Sequence, residues 1–163
     1  AMRQDRVGMG IRVPGGPVVH SCEEYDTDYS DLNKFKMAHR GEKIAIIAVG
    51  NFFKKGETIR QSLANDGIDA TLINPRYLSG VAENMLDGLE KDHQIVVTIE
   101  DGSLDGGFGE RISRFYGPTT MKVLNFGVKK ALYDRYDVNK LLHDNNLTDE
   151  QILASVKSVL NNY

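Results

Sequence analysis

The chain has 163 residues, enough for one domain with a sizeable core and an additional segment. Apolar residues make up 40% and the net charge is −3, from 20 basic and 23 acidic side chains, which argues against disorder and gives no pull towards nucleic acid or an acidic membrane. No apolar stretch approaches the roughly 20 residues of a membrane span, and the single cysteine, Cys22, has no internal disulfide partner, so the expected compartment is reducing and cytoplasmic.

In chain order, residues 6–14 read as a short strand stopped by Pro14, Gly15, Gly16 and Pro17. Residues 20–42 show no apolar period. Glu23, Glu24, Asp26, Asp28 and Asp31 precede a basic group of Lys34, Lys36, Arg40 and Lys43, and the span reads as a charged, solvated linker. From residue 43 strand and helix alternate. Ile44 to Val49 is an apolar run of buried-strand length closed by Gly50, and residues 55–66 form a helix with Ile59, Leu63 and Ala64 on one face. Ile68 to Ile73 is the second strand, and Ser79 is a good N-cap for a helix carrying Val81, Met85, Leu86 and Leu89. Ile95–Ile99, residues 108–116 and Met121–Phe126 follow as strand, helix and strand. Thr148 with Gln151 makes a capping box for a last helix turning Ile152, Val156 and Val159 inward. Strands separated by helices imply an α/β domain whose mostly parallel sheet is covered on both faces.

The chemistry-bearing stretch is residues 95–112, where an apolar strand ends in Glu100 and Asp101 and a glycine-rich turn opens a helix. A phosphate-cradling turn needs backbone N–H groups facing an anion, helped by Lys or Arg. Here Glu100, Asp101, Asp105 and Glu110 crowd the turn against Arg111 alone, and after Gly102, Gly106, Gly107 and Gly109 the third fingerprint glycine is replaced by Ile112. The turn therefore reads as structural. Adjacent strand residues point to opposite faces, so Glu100 and Asp101 make a poor acid/base dyad. Two readings of Glu100 stay open: a carboxylate tied to backbone N–H groups at the helix start, or an ion pair with Arg76 at the same sheet edge. His20, His39, His93 and His143 have no ligand-like spacing, Ser103 lacks a nucleophile-elbow context, and His93 reads as a surface or helix-end residue. Nothing among the residues activates water, forms a covalent adduct or holds a cofactor.

Five segments in register carry a family resemblance: I-R-V-P-G (11–15), G-E-K-I-A-I-I-A-V-G (41–50), N-P-R-Y-L (74–78), V-V-T-I-E-D-G-S-L-D-G-G-F-G (96–109) and V-L-N-F-G-V (123–128). Together they resemble the C-terminal part of the 1-deoxy-D-xylulose-5-phosphate synthases and, more broadly, the C-terminal domain shared by transketolases and 2-oxoacid dehydrogenase β-subunits. The resemblance implies a three-layer α/β/α sandwich of about five strands, one of them antiparallel, serving architecture and homodimer contact. It divides the chain into residues 1–19, the last strand of a preceding pyrimidine-binding domain, the linker over 20–42, and the C-terminal-like domain over 43–163. It implies no catalytic, cofactor or metal residue here; thiamine diphosphate and Mg²⁺ are expected in upstream domains, which are the expected partners besides a second copy. Arg12, Arg76, Glu100, Asp101, Gly106, Gly107 and Gly109 are the structural or interface candidates. Asp101-Gly102 with Asn145-Asn146 does not make the family's Gly-Asp-Gly…Asn-Asn magnesium motif, since the leading glycine is missing and the spacing is too long.

Three departures leave the parent enzyme's substrate open. Gly15 stands where the synthases carry an arginine that helps hold the substrate phosphate, Ser79-Gly80 replaces Lys-Pro, and Tyr133–Asp137 replaces a Phe-Ile-x-His/Gln-Gly turn. A free-standing interaction or regulatory module of the same fold, or a segment of a 2-oxoacid dehydrogenase β-subunit, are the other readings.

Overall fold

A computed structural model of the chain describes residue 10 and residues 31–161. Its elements are β1 (Lys36–His39), β2 (Lys43–Ala48), α1 (Phe53–Asn65), β3 (Thr71–Asn74), α2 (Glu83–Leu89), β4 (His93–Ser103), α3 (Phe108–Tyr116), β5 (Lys122–Val128), α4 (Val138–Asp144) and α5 (Asp149–Leu160). The five strands form one sheet in the order β1-β3-β2-β4-β5. All neighbours run parallel except β1, which pairs antiparallel with β3.

The central strands are apolar along their whole length because both of their faces are covered. Ile44, Ile46 and Ala48 of β2, with Ile95, Val97 and Ile99 of β4, face a layer containing Ile59 and Leu63 of α1 and Ile152 and Val156 of α5. The alternating residues Ala45, Ile47 and Val96 face Leu86 and Leu89 of α2 and Phe108, Ile112 and Tyr116 of α3. Period-two alternation thus sends one strand's side chains into two separate cores. Each fully buried Ile or Leu contributes about 1.5–3 kcal/mol, so β2 and β4 hold the domain together. The capping box forms as expected: the Thr148 hydroxyl accepts from Gln151 N, and the Gln151 side chain accepts from Thr148 N.

Several expectations are corrected. Residues 36–39, placed in the charged linker, form the edge strand β1. An edge strand needs neither a continuous apolar run nor a buried face, and lysine suits it, so its sequence resembles a linker. Ser79 caps no helix; α2 begins at Glu83 without a side-chain cap, and the Ser79 hydroxyl donates to Asn33 Oδ1 at 2.9 Å. Strand β4 does not stop at Ile99 but runs on to Ser103, with a register irregularity before Ser103 meets Val128. Such an irregularity re-aims side chains at a strand end. His93 lies neither on the surface nor at a helix end; it is the first residue of β4 and only 5% exposed. Its Nε2 is 2.8 Å from Thr71 Oγ1, and its Nδ1 lies 3.1 Å from the Leu89 carbonyl and 2.6 Å from Asp92 Oδ1. Helix α4 has no counterpart among the expected elements; it buries no residue fully and is started by Asp137, whose side chain accepts from Lys140 N.

Candidate functional site

The carboxyl ends of the parallel strands form the edge where an open α/β sheet places its ligands. At that edge β4 delivers Glu100, the glycine turn follows, and α3 starts at Phe108. Glu100 is 5% exposed, its Oε2 accepts from Phe108 N at 2.9 Å, and its Oε1 accepts from Gly109 N at 3.0 Å. Orphan N–H groups at a helix start, together with the positive end of the helix dipole, favour an anion there. Here the chain's own carboxylate fills that position. Glu110 does the same for the loop, its Oε2 accepting from Gly106 N at 3.0 Å.

The glycines are dictated by this closure. A Cβ at Gly107 would lie 2.3 Å from the Ser103 carbonyl and 2.6 Å from Glu100 Oε1, and one at Gly109 would lie 2.6 Å from Thr98 Oγ1. Gly106 turns the chain with φ +73°. Beneath the turn, Thr98 Oγ1 donates to Asn125 Oδ1 at 2.7 Å and Asn125 Nδ2 donates to Ser113 Oγ at 2.7 Å. This chain of bonds ties β4, β5 and α3 together.

Arg76 does not hold Glu100. Its guanidinium donates to the Lys34 carbonyl through Nε (3.2 Å) and Nη2 (3.0 Å), and its N–H donates to Asn74 Oδ1 at 3.0 Å, in a loop where its φ is 55°. It joins the loop after β3 to the segment leading into β1. Asp101 lies beside Gly50, where a Cβ would be 3.8 Å from its Oδ2. The sheet therefore brings Glu100, Gly107 and Gly109 into one cluster and leaves Arg76 and Asp101 on separate contacts. Arg12, Gly15, His20 and Cys22 lie outside the described residues.

Ser103 Oγ is buried without a hydrogen-bond partner. It lies at the opposite end of β4 from His93, roughly 33 Å away at strand rise, so His93 does not serve it as a base. Among the described residues, no cluster of three or more His, Cys, Asp or Glu is placed to hold a metal ion, and no helix is long and apolar enough to cross a membrane. Burial, reinforced by Glu90 and Asp87, pushes the Tyr116 phenol well above its usual range; its hydroxyl donates to the Leu86 carbonyl at 2.8 Å. That group is a structural strut. Two shallow depressions, about 400 and 420 Å³, lie beside His39, Glu57 and Arg60 and beside Tyr133, Tyr136 and Lys140, away from the glycine turn. Sequence reasoning missed the His93–Thr71 pair because β3 and β4 bring together residues 22 positions apart, although a histidine just before the apolar run Ile95–Ile99 was the available signal.

The fold defines a three-layer α/β domain whose glycine turn and α3 start are closed by the chain's own Glu100 carboxylate. The sequence profile of the transketolase C-terminal domain matches residues 33–152. The chain belongs to that family. It is 33% identical over 151 residues to the 1-deoxy-D-xylulose-5-phosphate synthase of Lachnoclostridium phytofermentans, covering 91% of this chain and 24% of that protein. It is 31% identical over 156 residues to the synthase of Alkaliphilus oremlandii, covering 91% of this chain and 24% of that protein. The chain thus spans about a quarter of the length of these relatives. Among solved structures, a split-gene transketolase described as an inactive β4 tetramer superposes with a TM-score of 0.72 at 22% identity, over 80% of this chain and 43% of that one. A 2-oxoglutarate:ferredoxin oxidoreductase from Magnetococcus marinus shares the fold at a TM-score of 0.51 and 19% identity, over 77% of this chain and 19% of that one.

Proposed function

We propose that this chain is the C-terminal, architectural part of a thiamine diphosphate-dependent transferase resembling 1-deoxy-D-xylulose-5-phosphate synthase, acting in the cytoplasm and inactive by itself. Thiamine diphosphate and Mg²⁺ belong, in this reading, to upstream domains, on the same or a separate polypeptide. This chain contributes a rigid layer against them and a contact with a second copy of itself. The observation that carries the reading is Glu100. Its carboxylate occupies the α3 N-terminus through Phe108 N and Gly109 N, where a diphosphate would otherwise find its donors. The coverage of only a quarter of the relatives' length supports the same division of labour.

Calorimetry of the chain with thiamine diphosphate and Mg²⁺ tests it. The expected result is no saturable heat, and a micromolar dissociation constant would overturn the proposal.

A further inference from the structure

The His93 side chain is fully buried, yet the proposed function makes no use of it. The ring lies where the amino ends of β3 and β4 meet the connection from β1 to β2, residues 40–42. Its surroundings can be counted donor by donor. Nδ1 faces two acceptors, the Leu89 carbonyl at 3.1 Å and Asp92 Oδ1 at 2.6 Å, so it carries a proton. Nε2 lies 2.8 Å from Thr71 Oγ1, a hydroxyl with one hydrogen and two lone pairs. Gly41 N donates to one lone pair at 2.9 Å. The hydrogen and the other lone pair are left for two neighbours, the Gly41 carbonyl at 3.1 Å and Nε2. Two arrangements satisfy this set. With Nε2 protonated, the ring donates to Thr71 and the hydroxyl donates to the Gly41 carbonyl. With Nε2 bare, the hydroxyl turns to Nε2 and the Gly41 carbonyl loses it.

We propose that His93 is a proton-operated latch on the connection between β1 and β2: a proton taken up from solvent at Nε2 turns the Thr71 hydroxyl from the imidazole onto the Gly41 carbonyl, and its loss turns the hydroxyl back. The connection is packed closely enough to follow. A Cβ at Gly41 would lie 2.0 Å from the Asp69 carbonyl oxygen, so the backbone runs directly against the chain entering β3. Glu42 N donates to the Asp69 carbonyl and Lys43 N to the Asp92 carbonyl, each at 2.8 Å. Gly41 is also the root of β1, which ends two residues earlier at His39 and pairs with β3 alone among the described residues. Asp92 is the charged side chain in contact with the ring, and Arg40 from the same connection pairs with its other oxygen. On the β3 side Asp69 is engaged by His39 at 2.7 Å, with Arg60 of α1 at 3.9 Å. Helix α2 presents the Leu89 carbonyl, while Glu90 and Lys91 after it, and Glu42 and Lys43 at the start of β2, are exposed.

Nuclear magnetic resonance of the full, isotope-labelled chain between about pH 5 and 9, a range that brackets the charge change of histidine side chains, tests the latch. The ring should pass from two protonated nitrogens to a single proton on Nδ1, and the Gly41 carbonyl carbon signal should shift with the same midpoint. Thr71→Ser keeps the hydroxyl and should keep the coupled shift. His93→Gln should flatten the Gly41 signal, whereas His39→Gln should leave it as in the wild-type chain, which separates the two neighbouring histidines. The wild-type titration decides by itself if a variant fails to fold. A Gly41 signal that stays flat while His93 titrates overturns the latch, as does a shift that survives His93→Gln. So does a neutral ring protonated at Nε2, or a ring that keeps one protonation state across the whole range. None of these outcomes bears on the proposed function, which does not use His93.

Discussion

Removing the Glu100 carboxylate is the perturbation whose cost follows most directly from the geometry. Its two oxygens accept from Phe108 N and Gly109 N at 2.9 and 3.0 Å, in a site where Glu100 is 5% exposed. A hydrogen bond to a charged group contributes about 1.5–3 kcal/mol, and a buried N–H left unpaired costs about 1–3 kcal/mol. The two penalties overlap, because a lost bond and an orphaned donor describe one event. Glu100→Ala should therefore lose about 3–5 kcal/mol, a large share of the roughly 5–15 kcal/mol that stabilises a typical domain. Glu100→Gln keeps the shape and one acceptor but turns an amide donor towards an N–H group, for a loss of about 2–3 kcal/mol. Urea unfolding measures both, with about 2–4 °C of melting temperature lost per kcal/mol for a chain of this size. Acetate supplies a specific check, because the vacated helix start in Glu100→Ala is an anion site. With a dissociation constant of ~10 mM, 100 mM acetate would restore about 1.4 kcal/mol to the variant and nothing to the wild-type chain. A Glu100→Gln variant within about 0.5 kcal/mol of wild type, the scatter of an ordinary surface substitution, would refute the reasoning.

Gly109→Ala should destabilise by about 1–3 kcal/mol through overpacking, because its Cβ would sit 2.6 Å from Thr98 Oγ1 and 2.8 Å from Asn125; urea unfolding reads the loss, and an unchanged midpoint contradicts it. Thr71→Val should cost about 2–4 kcal/mol, since the Thr71 hydroxyl accepts from Gly41 N, donates to the Gly41 carbonyl and meets His93 Nε2. Thr71→Ser should recover most of that stability by keeping the hydroxyl. At the carboxyl end, the Lys140 hydrogen bond holds the Asp144 carboxyl below its ordinary 3.8, and the backbone N–H of Glu150 with the Thr148 side chain holds the Glu150 carboxyl below 4.5. The folded state thus binds fewer protons than the unfolded one in this range, so this contribution is present above about pH 5 and is lost as pH falls through the lowered values. Circular dichroism should show α4 and the start of α5 loosening on acidification, and a contribution that grows with acid would contradict the sign.

The sequence makes the interior of this fold legible and its rim much less so. Ile44 to Val49 and Ile95 to Ile99 announce buried strands because both faces need apolar side chains, and the Thr148–Gln151 box marks its helix start by local chemistry alone. Strand β1 and helix α4 escape notice because neither buries a continuous stripe. At the glycine turn, composition alone argues against a phosphate, because four carboxylates face one arginine. The choice between Arg76 and the α3 N–H groups as the partner of Glu100 is a matter of direction, since Arg76 adopts φ 55° and turns towards Lys34. Likewise, the departure at Tyr133–Asp137 is visible in the sequence, whereas its exposure follows only from the way β5 ends at the sheet edge.

The proposal is that this chain completes a thiamine diphosphate enzyme without holding its cofactor. The most direct measurement is transferase activity, with thiamine diphosphate and Mg²⁺ supplied, for this chain alone, for a polypeptide carrying the upstream domains alone, and for the two together. The account predicts turnover only in the mixture, reduced when Glu100→Ala loosens the domain and regained with acetate. Turnover by this chain alone, or an upstream polypeptide fully active without it, would contradict the account.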